Sequence, residues 1–396
     1  MDTSRQVLVR AHPRAGDSDV SIFLGIYGDR WVASATECIE EQSDASVQVV
    51  AAVNGSSPAA EAHLVEWAGR TRHDVTVVRN NSNLGPLGSL HRNWDLLKSP
   101  WVATFHQDDL YASSHLNELR ALIRSSPSDA LACFTGMGGI SESGESLLAG
   151  PPLRRNNLDL MDRPELFATL VRRHPVASPT LCFRRDAAFV SDLVWFDSGA
   201  PDSEWYARLA CRGRFRVSHK VTAYYRDTDS SESRLTDRYS RAWQWAQSLE
   251  RIFHSDDFTN LVRAIPPETR STFAQSVLSS VGARYPDSPL FEFVQYSAAQ
   301  AMASAWEYED CAPLNHLRAV LQGLGESGAL MTLDSHFDAA AEATATQARQ
   351  LLGPLPEKSP LHKGARSLYR RHAHRLPPSL RSNLVALYDK LAPRRG

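Results

Sequence analysis

Residues 20–135 alternate short apolar runs with amphipathic stretches, and this rhythm limits the folds available to the chain. The apolar runs are Val20–Ile26, Val47–Val53, Val75–Val78, Trp101–Phe105 and Ala130–Phe134. Such runs predict buried strands, and the apolar residues that recur at helical spacing between them predict helices. Strands that alternate with helices favour a largely parallel sheet with helices on both faces. The predicted fold class is therefore α/β, with a ligand site at the carboxyl ends of the strands.

The pattern changes after about residue 237, where long stretches rich in Ala, Leu, Gln and Arg begin. We therefore predict two domains, an α/β domain over residues 1–240 and a helical domain over residues 241–396. Before that boundary we expect a helix at about Ser203–Cys211 and short strands at Leu181–Arg184, Phe215–Val217 and Val221–Tyr225.

The composition is that of an ordinary globular protein, with 42% hydrophobic and 22% charged residues. The formal net charge of −2 gives no broad positive field, which argues against a nucleic-acid partner. No apolar run approaches the roughly 18 residues of a membrane-spanning helix. The segment before Asp19 lacks the apolar centre of a secretory signal, and the five cysteines are scattered without a CxxC spacing. These features predict a cytoplasmic protein without a zinc site, and they leave self-association open.

Two adjacent carboxylates, Asp108 and Asp109, directly follow the apolar run that ends at Phe105. Like charges this close repel each other unless a cation lies beside them, and hard oxygen ligands favour Mg²⁺ or Mn²⁺. An Asp-Asp pair is also compatible with a solvated helix cap. Acids spaced as DxD recur at Asp17–Asp19 and Asp227–Asp229, so only the position after a buried strand distinguishes the pair at 108 and 109.

Four segments, in order along the chain, carry a family resemblance. They are Val20–Tyr27, an opening strand with its turn; Ala52–Ser56, a second turn; Asn83–Gly85 followed by His106–Asp109; and Pro201–Leu209. Together they make the chain similar to the inverting family 2 glycosyltransferases of the GT-A fold, over about residues 20–230. The resemblance implies a Rossmann-like nucleotide-sugar-binding domain whose central sheet is mostly parallel.

The chain departs from the family pattern at several positions. Gly25 and Gly28 replace the usual Pro and Asn of the first turn, and Val53 and Asn54 replace the two acids of the second. His91 occupies a helix position at which the family usually has Asn.

The resemblance implies how this site meets a nucleotide sugar. Tyr27 is expected to stack on the base, Asn54 to hydrogen-bond it, and Asn83 to line the same site. Asp108 is expected to contact the ribose or the metal, and Asp109 to ligate the Mn²⁺ or Mg²⁺ that neutralises the leaving diphosphate. The residues alone also allow Tyr27 to pack on the core and Asn54 to be an ordinary turn residue.

The resemblance assigns the general base to Asp202, with Glu204 as the second candidate. A carboxylate near the start of a helix can also be a simple cap, but the downstream Arg208 favours the base. His174 and Ser178 lie where such enzymes line the acceptor pocket, and an ordinary turn explains them equally well.

The end of the resembling region carries one more departure. Thr228 stands where many members have a histidine that completes the metal site. Asp227 or Asp229 can offer an oxygen ligand instead, and Arg226 is expected to steady the diphosphate or to pair with a nearby acid.

Residues 363–396 carry nine Lys or Arg and one acid, Asp389. A basic amphipathic segment of this kind is compatible with contact with an anionic membrane, with a solvated helix face, or with docking on the catalytic domain.

The sequence thus predicts a metal-dependent inverting glycosyltransferase. It is expected to move a sugar from a nucleotide-diphosphate sugar, most readily a UDP-sugar, to a hydroxyl of a glycan, lipid-linked or small-molecule acceptor, as in polysaccharide biosynthesis. A nucleotidyltransferase is one alternative, although Gly25–Arg30 is too short for its phosphate loop. The other is a non-catalytic sugar-nucleotide or glycan-binding module with a degenerate site, which Val53 and Thr228 favour.

Overall fold

The computed structural model describes residues 5–10, 18–42, 46–147, 158–173, 176–187, 201–228, 238–284 and 289–306. All of these residues belong to one compact unit. The strands are β1 (Arg5–Arg10), β2 (Val20–Ile26), β3 (Gln48–Asn54), β4 (Asp74–Asn80), β5 (Trp101–His106), β6 (Leu110–Tyr111), β7 (Ala130–Ile140), β8 (Ser146–Leu147), β9 (Leu181–Arg184) and β10 (Arg214–Arg226). The helices are α1 (Val32–Glu40), α2 (Pro58–Arg70), α3 (Gly85–Arg92), α4 (His115–Arg124), α5 (Arg163–Arg172), α6 (Pro201–Arg212), α7 (Arg238–Phe253), α8 (Asp256–Arg263), α9 (Arg270–Arg284) and α10 (Pro289–Ala305).

Within the described ranges, ten strands pair into one sheet in the order β1-β4-β3-β2-β5-β9-β7-β10-β6, with β8 beside β7. The central strands β4, β3, β2 and β5 run parallel, and so do β7 and β10. Strand β9 lies antiparallel between β5 and β7. The predicted α/β class with a mostly parallel central sheet is therefore confirmed.

The parallel strands form where the sequence is continuously apolar. Every residue of β2 is buried, and six of the seven residues of β3 are buried. Strands covered by helices on both faces need apolar side chains in both directions, so they read as unbroken apolar runs. Pro58 begins α2, where its fixed backbone angle suits the first helical turn.

Two features of the sheet differ from the prediction. The two short strands expected at Phe215–Val217 and Val221–Tyr225 are one strand, β10, because shifts of register against β7 carry the pairing across the polar residues between them. Strand β1, which was not predicted, pairs antiparallel with β4. It is the edge strand of the sheet, so it has a hydrogen-bonded neighbour on one side.

The helices after residue 237 pack against α6 through two buried ion pairs. Arg251 of α7 donates to Glu204 at 2.6 Å, and Arg208 donates to Asp257 of α8 at 3.1 Å. Glu204 and Arg208 are only 1% and 2% exposed. These helices therefore brace the element that carries Asp202, and the boundary after residue 240 stays a prediction. Residues 307–396, with the basic tail, lie outside the described residues.

Among the described residues, no helix is both long enough and apolar enough to cross a membrane.

Replacing Arg251 by Met is expected to lower the free energy of unfolding by about 2–4 kcal/mol, because the Glu204 carboxylate would lose its counter-charge while remaining buried. Urea titration measures this loss. The matched control is Arg70→Ala, which breaks an exposed pair with Glu66 and should change stability by less than about 0.5 kcal/mol. Equal effects in the two variants would contradict a stabilising role for the buried pair.

His115, at the start of α4, makes the folded protein sensitive to acid. The ring is fully buried beside Phe105 and Tyr111, with Nδ1 2.8 Å from the Thr222 hydroxyl, and burial lowers its pKa to about 3. The unfolded chain takes up this proton near its ordinary pKa of about 6.5, so stability falls as the pH drops below that value. Between pH 7 and pH 5 the loss from this residue is about 2 kcal/mol.

The variant His115→Asn tests this expectation, since asparagine still offers a polar group near Thr222 but does not titrate. Urea titrations at pH 7 and pH 5 should show a stability loss smaller by about 2 kcal/mol in the variant. An identical loss in the two proteins would assign the acid sensitivity to other groups.

Candidate active site

The carboxyl ends of the parallel strands bring the predicted nucleotide-site residues to one edge of the sheet. In the strand register Gly25 lies opposite His106, Ile26 opposite Val53, and Asn54 opposite Asn80. Tyr27, Asn54 and the Asp108–Asp109 pair therefore follow neighbouring strands at the same edge.

Asp109 is the most constrained acid of this edge. The residue is 1% exposed, and its Oδ1 accepts the backbone N–H of Arg226 at 2.9 Å. Its Oδ2 is buried and receives no hydrogen bond from any described residue. Burial, together with the neighbouring Asp108, raises the pKa of Asp109 well above its usual range. A buried carboxylate oxygen without a donor is costly unless a cation occupies the space beside it.

His106 lies next to this unpaired oxygen. Its Nδ1 is 3.5 Å from Asp109 Oδ2, and one ligand atom from each of His106, Asp108 and Asp109 falls within 4.8 Å of the others. Burial lowers the pKa of His106, which favours the neutral imidazole that ligates metals. The residues present fit a divalent cation. Sequence reasoning did not single out His106, although its place at the end of β5, two residues before Asp108, was a usable signal.

Arg226 braces the acidic turn from β10. Its backbone N–H donates to Asp109 Oδ1, and its Nε donates to the Asp108 carbonyl at 2.7 Å. Its Nη1 donates to the carbonyls of Glu142 at 2.9 Å and Ser141 at 3.2 Å. The backbone of Arg226 thus donates to Asp109, and its side chain holds the turn and the loop after β7. Pairing of the guanidinium with a nearby acid stays a prediction. Contact with a diphosphate stays a prediction.

The residues directly after β10 that the structure describes are Asp227 and Thr228. Asp227 donates its backbone N–H to the Ile140 carbonyl at 2.9 Å. Among the described residues, its carboxylate is not part of the group formed by His106, Asp108 and Asp109. Thr228 is 5% exposed, and Asp229 lies outside the described residues.

Gln107 fixes the loop that carries Tyr27. Its Oε1 accepts the Tyr27 backbone N–H at 2.7 Å, and its Nε2 donates to the carbonyls of Gly28 at 2.9 Å and of Arg30. The Tyr27 side chain folds over Gly25, where a Cβ would lie 3.0 Å from the tyrosine hydroxyl. Tyr27 is nevertheless 40% exposed, so a face for stacking remains accessible. Sequence reasoning missed Gln107, because a polar residue between a strand and two acids has no pattern of its own.

Trp31 closes the same loop in a conformation that non-glycine residues rarely adopt. Its φ is 61°, in the left-handed region, and the centroid of its ring is 4.1 Å from the guanidinium carbon of Arg30 and 5.1 Å from that of Arg226. Such a backbone persists only where surrounding contacts hold it. Arg30 also pairs with Glu142 at 2.5 Å, which links the loops after β2 and β7.

The side chain of Asn54 makes hydrogen bonds within the protein. Its Nδ2 faces the carbonyls of Ile26 at 3.4 Å and Ala52 at 3.3 Å, and its Oδ1 accepts from Asn80 at 3.1 Å. A direct hydrogen bond to a base, which stays a prediction, would have to replace one of these contacts.

A buried polar chain continues from this point into α3. Asn80 donates to Ser89 at 3.0 Å, and Asn93 donates to Asn80 at 3.2 Å. The buried asparagine at the end of α3 is therefore Asn93. The family resemblance places an asparagine two residues earlier, at the position of His91.

Asn83 lies in the turn before α3, beside the loop after β3. Its Oδ1 accepts the Gly85 N–H at 3.0 Å, and a Cβ on Gly55 would lie 3.9 Å from the Asn83 nitrogen. Asn83 is exposed, so contact with a nucleotide stays a prediction.

Asp202 is in the first turn of α6 and is held by Ser178. Its Oδ2 accepts the Ser178 hydroxyl at 2.9 Å, and that hydroxyl in turn accepts from Tyr206 at 3.1 Å. Its Oδ1 accepts the Ser203 N–H at 2.8 Å, so the residue also satisfies a donor of the first helical turn. The negative charge of Asp202 acts on His106 to raise the pKa of that imidazole, against the larger effect of burial. Asp202 is therefore close enough to His106 to act on it electrostatically.

The second candidate base has a different environment. Glu204 is 1% exposed and its Oε2 accepts from Arg251, as described above. His174, the other predicted acceptor residue, lies outside the described residues.

This edge of the sheet thus combines a cluster of possible metal ligands with a separate carboxylate, that of Asp202. Residues 27–185 match the family model described as glycosyl transferase family 2. This segment is therefore a family 2 glycosyltransferase domain with the GT-A fold, as the sequence motifs predicted.

Solved structures that are similar to this chain include the following two. S. aureus TarS 1-349 in complex with UDP-GlcNAc is 14% identical over 78% of this chain and 92% of that one, with a TM-score of 0.47. The mannosyltransferase PcManGT from Pyrobaculum calidifontis, in complex with GDP-Man and Mn²⁺, is 17% identical over 83% of this chain and 84% of that one, with a TM-score of 0.43. No curated protein matches this chain.

Proposed function

We propose that the protein is a metal-dependent inverting glycosyltransferase that uses a UDP-sugar and a hydroxyl acceptor on a glycan, a lipid-linked glycan or a small molecule. The observation that carries this proposal is the buried, donor-less Oδ2 of Asp109 beside His106 and Asp108. Bound Mn²⁺ or Mg²⁺ supplies positive charge that stabilises the departing diphosphate.

The chain's own residues account for the remaining chemistry. The acceptor oxygen attacks the anomeric carbon while the bond from that carbon to the phosphate oxygen breaks, and the electron pair leaves with UDP. Asp202 takes the proton of the acceptor hydroxyl, since inversion needs a base on the face opposite the leaving group. The hydrogen bond from Ser178 orients this carboxylate. Gln107 and Arg226 hold the loops that receive the nucleoside and the diphosphate.

Hydrolysis of UDP-, GDP- and dTDP-sugars in the presence of Mn²⁺ tests the reaction class. We expect a UDP-sugar to be consumed fastest, and the anomeric configuration of the released sugar, followed by NMR at early times, to be inverted. Tight binding of a UDP-sugar without turnover would instead support the non-catalytic module. Release of pyrophosphate from a nucleoside triphosphate and a sugar phosphate would support the nucleotidyltransferase.

The basic segment 363–396 supports a further part of this proposal, contact with an anionic membrane that carries a lipid-linked acceptor. Removing these residues is expected to lower co-sedimentation with phosphatidylglycerol vesicles and to leave hydrolysis of the UDP-sugar unchanged. Equal sedimentation of the full-length and truncated chains would contradict membrane contact through this segment.

A further inference from the structure

We infer that the imidazole of His106 is a direct metal ligand, and that this nitrogen donor makes the site prefer transition-metal ions such as Mn²⁺ and Co²⁺ over Mg²⁺. The inference rests on the proposed metal-dependent function and concerns the ligand set of the same site. In many family members a histidine at the position of Thr228 completes the metal site. We assign that role in this protein to His106, at the end of β5.

The separation of the donor atoms supports shared ligation. His106 Nδ1 and Asp109 Oδ2 are 3.5 Å apart and make no hydrogen bond. Two ligand atoms that each bind one ion at about 2.1 Å lie about 3–3.5 Å from each other. The observed separation therefore corresponds to two adjacent corners of a coordination shell.

The unpaired oxygen of Asp109 is an independent observation. Oδ2 is buried in a residue that is 1% exposed, and no described residue donates to it. Arg226 donates to Asp109 Oδ1 and to backbone carbonyls, so these hydrogen bonds leave Oδ2 without a donor. A cation between Asp109 Oδ2 and His106 Nδ1 removes this cost.

The end of β5 holds the backbone of His106 in place. The His106 backbone N–H donates to the Tyr111 hydroxyl at 2.8 Å, and Tyr111 stacks on Phe105 with ring centroids 3.9 Å apart. The His106 side chain is 33% exposed, so part of the imidazole is accessible from solvent. Imidazole suits transition-metal ions, whereas Mg²⁺ strongly prefers oxygen, so the mixed ligand set predicts the selectivity.

Pulsed electron paramagnetic resonance of Mn²⁺ bound to the full-length protein tests the ligand directly, with and without UDP. We expect ¹⁴N modulation from the imidazole in the wild type, and its loss in His106→Gln and in His106→Asp. Mn²⁺ affinity should fall at least about tenfold in His106→Gln, and His106→Asp should lower the ratio of Mn²⁺ to Mg²⁺ affinity. The control His219→Gln, at an exposed histidine in the middle of β10, should retain the modulation.

Circular dichroism establishes that each variant is folded before the metal is added. Bound Mn²⁺ without ¹⁴N modulation, together with unchanged affinity in His106→Gln, would overturn the assignment of His106 and leave the metal-dependent function intact. Absence of Mn²⁺ binding to the wild type in the presence of UDP would overturn the proposed metal dependence and this inference with it.

Discussion

Replacing Asp202 by Asn is expected to lower sugar transfer by about 10²–10⁴-fold, the usual contribution of a positioned general base. The substitution removes the group that accepts the proton but keeps its shape. Asn Oδ1 can still accept the Ser203 N–H. The amide NH₂ of the asparagine can donate to the Ser178 hydroxyl oxygen, which reverses the direction of the present hydrogen bond. Unfolding free energy should therefore change by less than about 1 kcal/mol, and UDP affinity should remain nearly the same.

The measurement pairs transfer rates with urea titrations and UDP calorimetry on the same protein. Glu204→Gln is the matched control, because Glu204 is in the same helical turn but is bound to Arg251. Its main effect should be on stability. If Glu204→Gln abolishes transfer at unchanged stability while Asp202→Asn does not, the base has been assigned to the wrong carboxylate. If Asp202→Asn lowers only stability, Asp202 is a helix cap.

The central sheet could be predicted from sequence because its strands are buried on both faces. Val20–Ile26 and Leu181–Arg184 have the predicted bounds, since a continuous apolar run can satisfy two helix layers only as an interior strand. The edge strand Arg5–Arg10 could not be predicted in this way. Its burial is partial and its sequence is half polar, and its partner β4 is about 70 residues away.

The site could be located from sequence, but the roles of its residues could not all be separated. Asp108 and Asp109 follow a strand, and the sheet determines where that strand ends. Whether a polar residue faces the substrate or the protein depends on contacts distant in sequence. In sequence Arg226 resembles a phosphate-binding arginine, yet its side chain donates to backbone carbonyls of turns that precede it by about 85 and 118 residues.

The same limit applies to the two acids of α6. Asp202 and Glu204 both lie in the first helical turn, where either carboxylate is favourable. Only the packing of α7 against α6 places Arg251 beside Glu204, whereas Ser178 approaches Asp202 from before β9. Local sequence contains neither contact, so the family pattern alone decided between them.

Replacing Asp109 by Asn is expected to change function and stability in opposite directions. In the metal-free protein, the carboxylate is buried with one oxygen unpaired, and both burial and Asp108 disfavour its charge. Asparagine keeps an acceptor for the Arg226 N–H and places an amide near His106 Nδ1, which can accept a hydrogen bond when the ring is neutral. The free energy of unfolding in chelator should rise by about 1–2 kcal/mol. The strengthening of UDP binding by Mn²⁺ or Mg²⁺ should disappear.

Urea titrations in chelator and UDP calorimetry with and without metal measure the two effects separately. Asp108→Asn is the matched control: Asp108 is only partly buried, so the metal effect should weaken without a gain in stability. If the wild type binds UDP equally well with metal and with chelator, the proposal of a metal ion at this site is wrong. A loss of stability in Asp109→Asn would show that the carboxylate already has a partner in the metal-free protein. The expected result would instead show that Asp109 lowers the free energy of unfolding of the metal-free protein, and that its carboxylate is favourable only when an ion binds beside it.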